Sequence, residues 1–134
     1  MDAKIAALDA EMARHGTDRE APVRSVMALL GDRWTTLILL VLATGTWRHA
    51  ELKRALASLS AEQAISQRVL TLKLRTLERD GLVARAVTAN VPPKVSYRLT
   101  PLGEALHAQA REMIDWVKNN RAQIEAARSR FDAN

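Results

Sequence analysis

Apolar residues recur at helical spacing along most of the chain, and glycines break the pattern into segments. Ile5, Leu8 and Met12 share one face of a stretch closed by Gly16, which predicts a helix over residues 3–14. Polar residues 17–21 read as a link. Pro22 suits a first helical turn, and Val23, Val26, Met27 and Leu30 then recur up to Gly31. Asp32 is placed to cap a third helix over about 34–44. That helix is apolar nearly all round, from Trp34 through Leu42, so it is expected to be buried on several sides before Gly45 ends it.

Thr46 to Arg48 suit a short extended piece, and a helix over about 50–57 follows, with Leu52, Leu56 and Leu59 inward. Residues 58–65 are ambiguous. Ser60 with Gln63 three positions on has the form of a capping box. The next helix is better marked: Ser66 as N-cap, Leu70, Leu74 and Leu77 as the inward stripe, Gly81 as the stop. Residues 82–87 and 95–99 read as strands, since Val95, Tyr97 and Leu99 alternate with Ser96 and Arg98. Asn90, Pro92 and Pro93 stiffen the loop between them, with Lys94 at its tip. Thr100-Pro101 then opens a helix to about residue 130. Ala110, Val117, Ile124 and Phe131 form one heptad row, and Leu106, Met113, Asn120 and Ala127 the other. A helix of that length, about 45 Å, outruns a small domain. Its seam therefore predicts a dimer contact through Leu106, Met113, Val117 and Ile124, with Ile5, Leu8 and Met12 of the first helix beside it.

The expected fold is mainly α with a small β-hairpin: a winged helix–turn–helix with N- and C-terminal dimerisation helices. Residues 1–134 make one domain, with a core over about 22–100 and dimerisation helices over about 3–14 and 102–130. At 134 residues the chain is one domain's worth. Aromatics are only 4%, so Leu, Val, Ile and Ala must fill the core. The longest unbroken apolar run, Leu37 to Ala43, is far short of the ~20 residues that span a bilayer, so no membrane partner is expected. The N-terminus shows no secretory pattern, and a cytoplasmic location is the expectation. There is no cysteine, which excludes disulfides, thiolate metal sites and thiol redox sensing within these residues.

Charge is distributed unevenly. Residues 46–100 carry ten Lys/Arg against four Asp/Glu, a net +6, whereas residues 1–45 net −1 and residues 101–134 net 0. A basic excess confined to the middle of a small domain suggests a polyanion. Stepping 100° per residue from Leu70 puts Thr71 at about 100°, Arg75 at about 140°, Arg68 at about 160°, Arg79 at about 180° and Leu72 at about 200°. The outward face thus presents three arginines around a hydroxyl and an apolar side chain. Arginine's planar fork suits phosphates and the guanine edge, and an apolar group suits the thymine methyl. Gln67 and Arg68 lie at the end that enters deepest in helix–turn–helix docking. Arg85, Lys94 and Arg98 lie on the adjoining hairpin. The plainer reading is a solvated basic face.

Several segments resemble one family. They are Trp34-Thr-Thr-Leu-Ile-Leu, Glu51-Leu-Lys-Arg-Ala-Leu, the run from Ile65-Ser-Gln-Arg-Val-Leu to Gly81-Leu-Val, and Val91-Pro-Pro-Lys-Val-Ser-Tyr-Arg-Leu-Thr-Pro-Leu-Gly. Over about residues 21–118 they are similar to the HxlR-type transcriptional regulators, a branch of the MarR-like winged-helix proteins. The resemblance implies a homodimer on near-palindromic double-stranded operator DNA, acting as a repressor or in some cases an activator. It maps Ser66, Gln67, Arg68, Thr71, Lys73 and Arg75 to the recognition helix and Pro92, Pro93 and Lys94 to the wing. There are three departures. Many members carry a switch cysteine before the helix-opening proline, where Ala21 stands here. The stretch from Ala57 to Ala64 is about six residues longer than usual. His49 stands where phenylalanine is frequent, so it is either a pH or ligand switch or a satisfied core or capping histidine.

His15, His49 and His107 are far apart, with no carboxylate at ligand spacing, so no metal and no cofactor are expected. No Gly-rich phosphate loop or nucleophile motif is present, and no enzyme activity is expected. Trp34, His49 and Trp116 mark a candidate pocket for a small-molecule effector, against the plainer assignment of Trp34 to the core and Trp116 to the dimer contact. The rival function is a winged-helix interaction module whose basic face binds an acidic protein.

Overall fold

The computed structural model describes residues 2–60 and 64–134. Its elements run α1 (Ala3–His15), α2 (Pro22–Leu30), α3 (Arg33–Leu42), β1 (Trp47–Arg48), α4 (His49–Leu59), α5 (Gln67–Arg79), β2 (Val83–Val87), β3 (Val95–Leu99) and α6 (Pro101–Asp132). The paired Ser60 and Gln63 expectation falls outside the described residues, because Gln63 is not among them.

Caps set the helix starts. Asp2, Asp32, Ser66 and Thr100 accept from the first-turn amides of α1, α3, α5 and α6. The stop of α5 is a left-handed glycine: Gly81 has φ +75°, and the Leu82 amide donates back to the Leu77 carbonyl at 2.9 Å. The third helix ends at Leu42, two residues before the expected boundary. There the Thr44 and Gly45 amides turn back to Val41 and Leu42, tightening the chain toward β1.

Helices α3, α4 and α5 surround a core in which Ile38, Leu39, Leu52, Leu56, Leu70, Leu74 and Leu77 are fully buried. Each such side chain stabilises the fold by about 1.5–3 kcal/mol relative to exposure. Leu59 is 58% exposed rather than inward, since it is the last residue of α4 and projects past the core. Thr35 is the buried polar residue, and its hydroxyl donates to Asp32 Oδ2 at 2.8 Å.

The hairpin gains a third strand, giving an antiparallel sheet of order β1-β3-β2. Trp47 pairs with Tyr97, and Arg85 also pairs with Tyr97 from the other side. Val83, Tyr97 and Leu99 face the core. Helix α6 leaves this sheet at Thr100, whose hydroxyl donates to the Gly81 carbonyl at 2.6 Å and whose amide donates to the Leu82 carbonyl. Of the 32 residues of α6, only Gly103 and Ala110 are buried, and none of α1 is. No single described helix is long and apolar enough to cross a membrane. The trihelical unit with its hairpin is a winged helix–turn–helix.

Candidate nucleic-acid interface

Helix α5 presents its stripe of leucines inward and therefore turns Gln67, Arg68, Leu72 and Arg75 to solvent. Ser66 is consumed as the cap, accepting from the Val69 amide at 3.1 Å. Leu72 is 53% exposed, an apolar group held on a basic face. Thr71 lies at the edge of that face and meets His49 of α4, with 3.1 Å between the imidazole Nε2 and the hydroxyl.

Beside Thr71 a cleft of about 650 Å³ opens between α4, α5 and the wing. Gln67 and Thr71 line it from α5, Lys94, Val95 and Tyr97 from the hairpin, Arg48 from β1, and His49, Lys53 and Arg54 from α4. Every charged side chain on its wall is cationic. Burial, and then the charge of Lys53, hold the His49 imidazole below its ordinary pKa. The Tyr97 ring stands 6.2 Å from it, tilted by 55°.

The wing is closed at its base. The Thr88 amide donates to the Lys94 carbonyl at 2.9 Å, and the Lys94 amide donates to the Thr88 hydroxyl at 3.0 Å. Residues 89–93 project beyond this pair. Pro92 and Pro93 lie there, and Val91 at the tip is 97% exposed.

Four expected residues lie elsewhere. Lys73 does not point outward: its ammonium pairs with Asp32 at 3.1 Å. A 100° step puts it only about 60° from the Leu70 direction, on the flank that meets α3. Arg79 does face solvent, but it ends α5, about 16 Å along the axis from Arg68, and pairs with Glu20 at 3.5 Å. Arg98 pairs with Ala84 on the sheet face opposite the core. Arg85 shares the core face with Tyr97 but is exposed and outside the cleft wall. Among the described residues, Arg68, Arg75, Arg85, Lys94 and Arg98 have no acidic partner within salt-bridge distance. Arg48, Lys53 and Arg54 are missing from the sequence expectation. Their signal was the basic cluster around Glu51, which becomes a site only when α4 packs against α5.

The three residues expected to mark an effector pocket stand in different surroundings. Trp34 packs partly buried against the core and carries the Arg33 guanidinium 4.9 Å from its ring. Trp116 is 61% exposed on α6, and His49 belongs to the basic cleft. A different cavity, of about 500 Å³, lies between α2, the end of α5 and the start of α6, with Val26, Leu29, Leu82 and Leu106 on its wall and the Glu20–Arg79 pair beside it.

The model of the HxlR-like helix-turn-helix family matches residues 29–125. The chain belongs to that family. Among HxlR-like relatives, the uncharacterized HTH-type transcriptional regulator YtfH of Escherichia coli K12 is 35% identical over 109 residues, 81% of this chain and 82% of that one. The solved putative transcriptional regulator ytfH from Salmonella typhimurium is also 35% identical, with a TM-score of 0.68 over 84% of this chain and 95% of its own. The reduced form of the transcriptional regulator YodB from B. subtilis is 38% identical, with a TM-score of 0.61 over 72% and 89%. The HxlR-like chain described here has no cysteine, so it offers no thiol to oxidise.

Proposed function

We propose that this HxlR-like protein is a sequence-specific DNA-binding transcriptional regulator that works as a homodimer on a near-palindromic operator, repressing by occupying it. The observation that carries the reading is the set of cations with no acidic partner among the described residues: Arg68 and Arg75 on the exposed face of α5, and Arg48, Lys53, Arg54 and Lys94 around the adjoining cleft. An acidic-protein adaptor needs no such groove-shaped arrangement. Helix α5 enters the major groove through Gln67, Arg68 and Thr71, with Leu72 toward a thymine methyl and Arg75 on the adjoining backbone. The start of α4 crosses the phosphates, and the Val91–Lys94 tip follows the flanking backbone or minor groove.

Support for the dimer comes from apolar surface that the protomer leaves uncovered. Ile5 and Leu8 on α1, Val23 and Met27 on α2, and Met113, Val117 and Phe131 on α6 are all exposed. Met12, Leu106 and Ile124 sit partly buried on the same two long helices. Asn120, in the heptad seam, donates to the Trp116 carbonyl at 2.7 Å, so its amide costs less there than an unpaired one. Two such protomers would set their α5 helices about 34 Å apart, one turn of duplex. With chromosomal DNA as partner, the work is cytoplasmic.

The test is fluorescence anisotropy with DNA from upstream of the protein's own gene and a scrambled duplex of equal length. The expected result is at least hundredfold tighter binding to the native duplex. Equal weak binding would remove sequence specificity, and no binding to either at low salt would overturn the DNA reading in favour of an acidic protein partner.

A further inference from the structure

We propose that His49 is a positioning residue for the DNA-reading face: it holds the Thr71 hydroxyl and takes up a proton when phosphates enter the basic cleft, coupling DNA binding to proton uptake. The inference rests on the DNA reading above.

Geometry carries it. His49 is the first residue of α4, whose start is pinned where the Glu51 carboxylate accepts from the Arg48 amide at 3.2 Å. From there its Nε2 reaches Thr71 in the second turn of α5 at 3.1 Å. This bond joins the first helix of the helix–turn–helix to the recognition helix at the floor of the cleft. The groups that line the cleft with the imidazole are Arg48 from β1, Lys53 and Arg54 from α4, Lys94 and Tyr97 from the hairpin, and the uncharged Gln67 and Thr71 from α5, and of these it is the Lys53 charge that acts on His49. The carboxylate of α4, Glu51, is turned to the Arg48 amide. The surroundings therefore oppose protonation as long as the cleft is empty of anions, in keeping with the lowered pKa.

A phosphate backbone reverses that balance, because its negative charge offsets the neighbouring lysine and the burial cost. The consequence reaches Thr71. In the neutral tautomer protonated at Nδ1, the one proposed for His49, Nε2 accepts and the Thr71 proton is committed to it. With Nε2 protonated, the imidazolium donates to the Thr71 oxygen and frees the hydroxyl proton for a phosphate oxygen or a base acceptor. One proton thus adds a cation to the cleft and converts Thr71 into a donor toward DNA.

The experiment measures binding of a fluorescein-labelled duplex from the protein's own upstream region between pH 5.5 and 8.0 at fixed ionic strength, with calorimetry in two buffers of different ionisation enthalpy. Wild type is expected to bind more tightly as pH falls, approaching tenfold per pH unit for each proton taken up, with up to one proton per protomer. His49→Gln should lose most of the pH slope, read as the ratio of its affinities at pH 5.5 and pH 8.0, whatever its affinity at either pH. His15→Gln and His107→Gln should keep it. Thr71→Ala should keep proton uptake yet weaken binding, and Thr71→Ser should restore it. As a check that needs no variant, the His49 ring signals in NMR should titrate at higher pH with duplex than without. A flat wild-type profile, or an unchanged slope in His49→Gln, would overturn the inference while leaving DNA binding intact. Failure to bind any duplex would instead overturn the reading on which it rests.

Discussion

The Asp32 carboxylate accepts from the Thr35 amide at 2.9 Å and the Thr35 hydroxyl at 2.8 Å, and pairs with Lys73 at 3.1 Å. Burial pushes its pKa up, but the two Thr35 bonds and the Lys73 charge outweigh it, and the carboxyl titrates below its ordinary value. A depressed carboxylate stabilises the fold at pH above its unfolded value of about 3.9, and that stability is lost as pH falls through the lower folded value. Asp32→Ala should therefore cost about 1–2 kcal/mol at pH 7 by chemical denaturation, as cap loss does, with the difference from wild type shrinking below about pH 4. Lys73→Ala should lower stability while leaving the salt slope of DNA binding unchanged, because Lys73 faces α3. A drop of about two in that slope, one for each protomer of the proposed dimer, would return Lys73 to the phosphate contacts. His49 responds with the opposite sense in fold and complex. Its lowered pKa means that stability is lost as pH falls below about 6.5, whereas the same proton strengthens binding. Thermal melts of wild type and His49→Gln between pH 5 and 8 would show the variant changing less.

Helix α5 illustrates how far periodicity reaches. The Leu70, Leu74 and Leu77 stripe, the Ser66 cap and the Gly81 stop are local features, and all of them stand in the structure as spacing predicts. Family pattern, rather than its angle on the helix, assigns Lys73 to DNA, and the structure gives it Asp32 as partner. The Arg48–Lys53–Arg54 wall was invisible for another reason: a cleft is a property of two packed helices, and no single helix contains it. Trp34 and Trp116 lie on α3 and α6, and only the turn of α6 decides that Trp116 points to solvent. The short extended piece expected at Thr46 to Arg48 is β1, but its pairing with β3 could not be read, because two residues are too few for alternation to show which strand they join. Two substitutions separate reading from holding. Arg68→Ala should cost about 1–3 kcal/mol in specific binding and relax base preference, whereas Lys94→Ala should weaken all duplexes alike and reduce the salt slope of the proposed dimer by about two, one for each protomer. Both are read by anisotropy across a salt series. Leu74→Ala, in contrast, should cost about 2–5 kcal/mol of stability, since its site is fully buried.

On the scale of the molecule, α1 and α6 are long helices with little of their own chain to cover them. A Met113→Glu, Val117→Glu double variant should sediment as a folded monomer and lose most of its operator affinity, because each half-site alone gives weak binding. For the intact dimer, contacts to six to ten phosphates would reduce affinity about a thousandfold or more between 50 and 200 mM salt. An analytical centrifugation series and the same anisotropy assay check both.

The junction at Gly103 has a consequence for which operators the protein accepts. A Cβ at Gly103 would lie 1.9 Å from the Leu82 carbonyl oxygen, so the first turn of α6 rests directly on the backbone that leaves α5. Thr100 ties the same spot through Gly81. In the proposed dimer, α6 and the end of α5 meet at this one close-packed junction, so the distance between the two α5 helices is expected to depend on it, as the opening of a pair of calipers depends on its pivot. Gly103→Ala should do more than lower the melting temperature by overpacking. By tilting α6 in both protomers of the proposed dimer, it should shift the preferred distance between half-sites, which a library of duplexes differing only in central spacing would reveal.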